Sequence, residues 1–320
     1  MSEKNLANLC GTLRNRGYRT HRTMVIMSRD YVNTVKELSR DNVYIKDKTK
    51  VNEIINELVK GGTNKLQVIL DFDRTITKQH VNGARQYSSF GIFEKCPSLP
   101  GSYVTTVTQL NGKYMPIEID PLMPREEKKR HMEDWWRLSE EALIGLTIPT
   151  SEIEEVVKEI KPPLRDDCIE FFRNAAKQMV PILVFSAGLG QTVVSVLKYH
   201  GILDDNVKVV ANFLKYDEDG VIQGFRDSII INVFNKNESV LCGTEYYKTI
   251  KDRTNAIVVG DSLGDATMFD CMDNKNAVLK IGFLYEHSEE NLPVYMDTFD
   301  IVLIDDQTMK VPHTIFKCIL

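Results

Sequence analysis

The chain has 320 residues, 42% hydrophobic and 27% charged, an ordinary globular composition with length for one large α/β domain and a smaller one. A net charge of −5 argues against a broad nucleic-acid-binding surface, which would have to be basic. No apolar run approaches the ~18 residues a transmembrane helix needs, and the six cysteines (Cys10, Cys96, Cys168, Cys242, Cys271, Cys318) are scattered without a C-x-x-C pair, which fits reduced, mostly buried thiols in a cytosolic protein.

The first 23 residues carry Arg14, Arg16, Arg19 and Arg22 against a single acid, Glu3. That faintly resembles a transit peptide; the plainer reading is a disordered tail, and residues 1–45 are expected to form an N-terminal tail that is poorly ordered at its start. Val51, Ile54, Ile55, Leu58 and Val59 then repeat at the spacing of one helix face, which ends at Gly61-Gly62. Leu66-Gln67-Val68-Ile69-Leu70 follows as a buried parallel strand. It stops abruptly at Asp71-Phe72-Asp73-Arg74-Thr75.

From about residue 78 to 161 the texture changes. Asn82-Gly83 and Pro97 through Gly101 mark loops. Pro124 to Glu127 opens a helix, with proline in the first turn and acids near the positive helix end. Its apolar pattern runs through Met132, Trp136 and Leu143. No buried-strand signature occurs here, so a helical insertion is expected, interrupting a core made of residues 46–77 and 162–320.

After Pro162-Pro163 the α/β alternation returns. A helix is expected near Arg165–Gln178. The strand Pro181–Phe185 ends in Ser186-Ala187-Gly188 and opens a helix reaching His200. Val207–Leu214 is a strand, joined through the turn Asp217–Gly220 to Val221–Phe225 as a hairpin. Ser228–Val233 reads as a strand leading into Phe234-Asn235-Lys236. Ala256–Val259 ends in Gly260-Asp261-Ser262-Leu263-Gly264-Asp265, and Ala277–Leu284 and Asp300–Ile304 complete the set. The expected fold is α/β: a doubly wound, mostly parallel, Rossmann-like sheet with a helical cap.

Three strands thus end in reactive groups, and Lys236 follows a fourth apolar run. Taken singly these signals are weak: D-x-D occurs in many loops, Ser-Ala-Gly is often only a tight turn, and Asp265 could simply cap a helix. A parallel sheet, however, brings its strand ends to one edge, where such folds bind ligands. Phosphoryl transfer needs what these residues offer. Asp71 is the expected nucleophile and Asp73 the proton donor and later acceptor. Asp71, Asp73, Asp261 and Asp265 are the candidate residues around a Mg²⁺ ion. Lys236, Ser186 and the N–H groups of Ala187 and Gly188 are the expected phosphate contacts.

At these residues the chain resembles the haloacid-dehalogenase-like (HAD-like) phosphatases, whose four motifs match Asp71–Thr75, Ser186, Lys236 and Gly260–Asp265 in order. The presence of Asp73 favours phosphate-ester chemistry through an aspartyl-phosphate. More closely, Phe185–Gly188, Phe234–Lys236, the hairpin Asp217–Phe225, Pro116–Pro121, Tyr295–Asp297 and Asp300–Leu303 resemble the cytosolic 5′-nucleotidase III family. That family comprises pyrimidine and 7-methylguanosine phosphate-specific 5′-nucleotidases. The resemblance spans residues 50–320 and implies that residues 78–161 cap the site and read the base. It implies Glu118 on the base edge, Trp136 stacked on the base and Phe90 on its other face; an indole suits the cationic 7-methylguanine ring. Arg74 departs from the methionine of many relatives and is expected to matter little. The implied activity is Mg²⁺-dependent hydrolysis of nucleoside 5′-monophosphates by a cytoplasmic monomer, with no polymeric nucleic acid or membrane as partner. The alternatives are a phosphatase for another small phosphometabolite and a non-catalytic nucleotide-binding protein on the same scaffold.

Overall fold

The computed structural model describes residues 28–120, 123–236, 245–270, 272 and 274–320. The arginine-rich segment, Pro121 and Cys10, Cys242 and Cys271 lie outside the described residues. Cys96 and Cys168 are buried free thiols, as expected of cysteines used for packing.

The chain enters through a short helix, α1 (Tyr31–Thr34), a 3₁₀ turn (Lys36–Ser39) and a two-residue strand, β1 (Val43–Tyr44). This is a correction to the expected tail. Tyr31, Val32, Val35 and Leu38 are buried in the main core, and β1 pairs antiparallel with the last strand of the sheet. Residues 28–45 therefore belong to the folded body. Their apolar residues are too few for a periodic pattern, but each finds cover in the core.

Helix α2 (Lys48–Gly61) starts where the Asp47 side chain accepts the Lys50 N–H. Its predicted face is the one that packs, with Val51, Ile55 and Leu58 buried. Strand β2 (Leu66–Leu70) is buried throughout. Next come a two-stranded hairpin, β3 (His80–Val81) and β4 (Ala84–Arg85), and four helices: α3 (Ser89–Phe93), α4 (Gly101–Ile119), α5 (Arg125–Leu143) and α6 (Thr150–Ile160). Helix α7 (Cys168–Lys177), strand β5 (Ile182–Leu189), helix α8 (Gly190–Tyr199) and strand β6 (Val207–Asn212) return to the α/β pattern. The hairpin of β7 (Leu214–Tyr216) and β8 (Ile222–Phe225) is followed by α9 (Glu245–Ile250), β9 (Asn255–Gly260), β10 (Ala277–Leu284), α10 (Ser288–Thr298), β11 (Ile301–Ile304) and α11 (Lys310–Ile319).

The main sheet runs β1-β11-β10-β9-β2-β5-β6, parallel except for β1. From β2 the chain builds outward to β5 and β6 on one side, then returns to build β9, β10 and β11 on the other. The reversal lies between β2 and β9, the switch point at which doubly wound sheets open a crevice.

One detail differs from expectation. Residues 228–233 form no strand: the amide of Asn212 brackets Ile231, donating to its carbonyl (2.9 Å) and accepting its N–H (2.8 Å), and Asn235 donates to Ile230 O. Side-chain amides take the backbone bonds that a neighbouring strand would have supplied. The hairpin β7–β8 is pinned to the helical insertion: Ile222 exchanges backbone hydrogen bonds with Gly145 and Leu146, and Phe225 donates to Glu140.

Candidate active site

Asp71 immediately follows β2, and its N–H still bonds to Val259 O of β9 at 3.0 Å. The backbone then folds over itself: the N–H groups of Thr75, Ile76 and Thr77 all reach Phe72 O, and Arg74 takes a left-handed φ of 62°. A buried arginine, not singled out by any local sequence pattern, holds this turn. Arg165 donates to the carbonyls of Arg74, Thr75 and Asp306, and its guanidinium lies 3.6 Å over the ring of Phe283. Burial lowers its pKa to about 10, which leaves it charged at neutral pH.

Lys236 arrives from the irregular segment after β8. It is buried and donates to Asp71 Oδ1 and, at 2.7 Å, to Asp265 Oδ1. Burial works against the ammonium, but Asp265 and Asp71 more than compensate, and its pKa is raised. Asp265 is built in on its other side as well: Oδ2 accepts from Asp261 N, Ser262 N and Ser262 Oγ. Ser262 and Asp265 thus form a capping box on a 3₁₀ turn, Leu263–Thr267. Gly264 permits the approach that brings this turn to Lys236, since a Cβ there would stand 1.9 Å from Val233 O.

Asp71, Asp261 and Asp265 each offer a carboxylate oxygen, and these oxygens lie within 4.8 Å of one another. Burial, joined by its acidic neighbours and opposed by Lys236, raises Asp71 to about 7. Burial and the adjacent Asp71 push Asp261 well above the usual carboxylate range. Among the described residues Asp71 Oδ2 is buried with no hydrogen-bond partner. An orphaned oxygen among crowded acids fits a hard, oxygen-seeking divalent cation. Asp73, expected beside the metal, is not one of these three; Ser89 N and Oγ donate to its Oδ1 and Oδ2, each at 2.6 Å.

Ser186 is buried, and its Oγ accepts the Gly188 N–H at 2.9 Å. The helix expected to open at Ala187-Gly188 begins later. Strand β5 continues through Ala187 and Gly188 to Leu189, and helix α8 opens only at Gly190. The Gly188 N–H is already engaged, while the Ser186 hydroxyl proton remains available to an acceptor. Asn212 fixes this loop by donating to Ala187 O.

In the insertion, Trp135 stacks on Tyr114 (5.8 Å, 13°), whereas Trp136 meets Phe90 edge to face (5.5 Å, 62°) and Phe225 at 6.4 Å. The two tryptophans therefore divide as adjacent helix positions should. Phe90 and Trp136 meet edge to face rather than as two parallel plates. Glu118 on α4 has its pKa raised by burial, with the Arg74 and Lys128 charges opposing. The same Arg74 charge also opposes burial at Asp73 and Asp261.

Comparison with known proteins places the chain in a family. A family model described as "Pyrimidine 5′-nucleotidase (UMPH-1)" matches residues 74–320. The chain is 47% identical over 287 residues to a 7-methylguanosine phosphate-specific 5′-nucleotidase of Drosophila melanogaster, covering 89% of both proteins. It is 35% identical over 286 residues to the protein of that name from Homo sapiens, covering 89% of this chain and 95% of the other. A crystal structure of cytosolic 5′-nucleotidase IIIB bound to cytidine superposes with a TM-score of 0.86 at 45% identity, over 90% of this chain and 97% of that one.

Proposed function

The chain belongs to the pyrimidine 5′-nucleotidase (UMPH-1) family, and from that premise we propose that it cleaves nucleoside 5′-monophosphates to nucleoside and inorganic phosphate. It is a phosphoric monoester hydrolase with a HAD-like core. The substrate class we infer is 7-methylguanosine monophosphate together with CMP and UMP, read by the helical insertion of residues 78–161 acting as a cap. The reading rests on one observation above all: the buried Asp71 carboxylate is gripped by Lys236 through Oδ1 and, among the described residues, Oδ2 has no hydrogen-bond partner.

In this mechanism an Asp71 oxygen attacks phosphorus. The bond from phosphorus to the 5′-oxygen breaks, and the departing oxygen takes its proton from Asp73. Water, losing a proton to the same Asp73, then attacks the aspartyl-phosphate, releasing phosphate and restoring both carboxyl groups. Lys236 and the Ser186 hydroxyl hold phosphoryl oxygens throughout. Asp71, Asp261 and Asp265 would hold Mg²⁺, which when bound screens the repulsion between a carboxylate and a phosphate dianion and polarises the phosphoryl oxygens. Trp136 offers its ring to the base and Glu118 a carboxylate to its edge.

We further infer a cytoplasmic monomer that acts on small molecules. Among the described residues no helix is long and apolar enough to cross a membrane. The deciding experiment is phosphate release from a panel of nucleoside monophosphates, with and without Mg²⁺. The expected result is Mg²⁺-dependent release, with the highest kcat/KM for a base that stacks on an indole. Absence of release from every nucleotide would sink the reading.

A further inference from the structure

Ser89 is fully buried and opens helix α3 within the insertion, yet both its polar groups point at one residue of the core. Its N–H, left without an intrahelical partner by its place in the first turn, donates to Asp73 Oδ1 at 2.6 Å. Its hydroxyl donates to Asp73 Oδ2 at 2.6 Å and accepts the N–H of Leu189 at 3.2 Å. Three segments meet at this oxygen: the turn after β2, the end of β5 and the start of α3. Gly188 makes the meeting possible. A Cβ at that position would stand 2.0 Å from Ser89 Oγ, 2.7 Å from Asp73 Oδ2 and 3.0 Å from Ser186 Oγ.

We propose that Ser89 is a positioning residue of the hydrolysis, acting through Asp73. This rests on the reading of Asp73 as the group that gives its proton to the leaving oxygen. A carboxyl group free to rotate about its side-chain bonds presents the wrong atom much of the time, and orientation of this kind supplies a large part of intramolecular rate advantages. Two donors from one residue, one per oxygen, fix both the plane and the direction of the Asp73 carboxyl. Because the hydroxyl also receives the Leu189 N–H, that plane is set relative to the Ser186 loop. Because Ser89 belongs to the insertion, the site is complete only while the insertion sits in this position.

The test uses the dependence on leaving group. A nucleoside 5′-alkoxide leaves poorly and needs a proton; p-nitrophenolate leaves readily and does not. For Ser89→Ala we expect kcat/KM toward CMP or 7-methylguanosine monophosphate to fall about 10- to 100-fold, within the usual range for general acid catalysis. Toward p-nitrophenyl phosphate it should change by less than about threefold on the same grounds. Ser89→Cys, which keeps the size with a weaker donor, should fall between wild type and Ser89→Ala, and stands in if the alanine variant fails to fold. Equal losses on both esters would mean a merely structural role and overturn the proposal; so would no loss on either. Asp73→Asn is the reference. If it fails to show the same leaving-group pattern, the role given to Asp73 is at fault and this proposal falls with it; if it shows the pattern and Ser89→Ala does not, only the role of Ser89 is refuted.

Discussion

The Lys236 ammonium stands 2.7 Å from the carboxylate of Asp265, and neither group reaches solvent. The same ammonium holds Asp71. One cation therefore neutralises parts of two buried acids, and truncating it leaves both uncompensated. Lys236→Met should lower unfolding free energy by about 3–5 kcal/mol, the usual penalty for breaking a buried pair from one side. Urea denaturation at neutral pH measures it; a loss of unfolding free energy under a quarter of that size would show that the pair is not structural.

Asp71→Asn behaves differently. An amide keeps the shape and an acceptor for Lys236 but cannot act as a nucleophile. Phosphate release should drop at least about a thousandfold. The thermal midpoint should not fall, because burial already disfavours the charged carboxylate at this position. Near-full activity in this variant would remove Asp71 from the role assigned to it.

Mg²⁺ should stabilise the folded protein, since the acid cluster forms only on folding. At a concentration 100-fold above its Kd, the gain is about 2.7 kcal/mol. Asp261→Asn should abolish most of that gain without EDTA treatment. Differential scanning calorimetry with and without the ion separates the two cases.

The adjacent tryptophans should give opposite phenotypes. Trp136→Ala should reduce kcat/KM for nucleotides about 5- to 150-fold, the kinetic equivalent of the ~1–3 kcal/mol that base stacking contributes. Its kcat/KM for p-nitrophenyl phosphate should hardly move. Trp135→Ala, which loses a ring stacked on Tyr114, should lower stability while leaving nucleotide kinetics of the folded fraction near wild type.

His313 makes stability pH-dependent. Burial, helped by Lys317, lowers its pKa below the ordinary 6.5, with Glu170 and Asp167 opposing. The unfolded chain then binds a proton more readily than the folded one, so this contribution is present above pH 6.5 and is lost as pH falls below it. Between about pH 7.5 and about pH 5.5, His313→Gln should lose less of its thermal midpoint than the wild type.

Much of this molecule was legible from residue order alone. The runs Leu66–Leu70, Ile182–Phe185 and Ala256–Val259 are buried strands because nearly every side chain in them is apolar, and a parallel sheet brings their polar ends together. What could not be read were contacts between residues distant in sequence. Arg165 and Ser89 carry no local pattern; only the fold shows one bracing the Asp71–Thr75 turn and the other gripping Asp73. The strand expected at Ser228–Val233 failed for the same reason, since the side chain that claims its backbone, Asn212, belongs to a different element. The charge of Arg74 opposes burial at Asp73, Glu118 and Asp261, three residues that only the fold brings near it.

Strand β1 is only two residues long, but it covers the outer edge of β11, and Asn42 adds two more bonds to Ile304 there. A chain begun at residue 46 would leave that rim bare, with open donors and acceptors inviting the same rim of another copy. The few residues ahead of α2 thus act as a guard against sticking, and their loss would be noticed first as turbidity in a concentrated sample rather than as a missing activity.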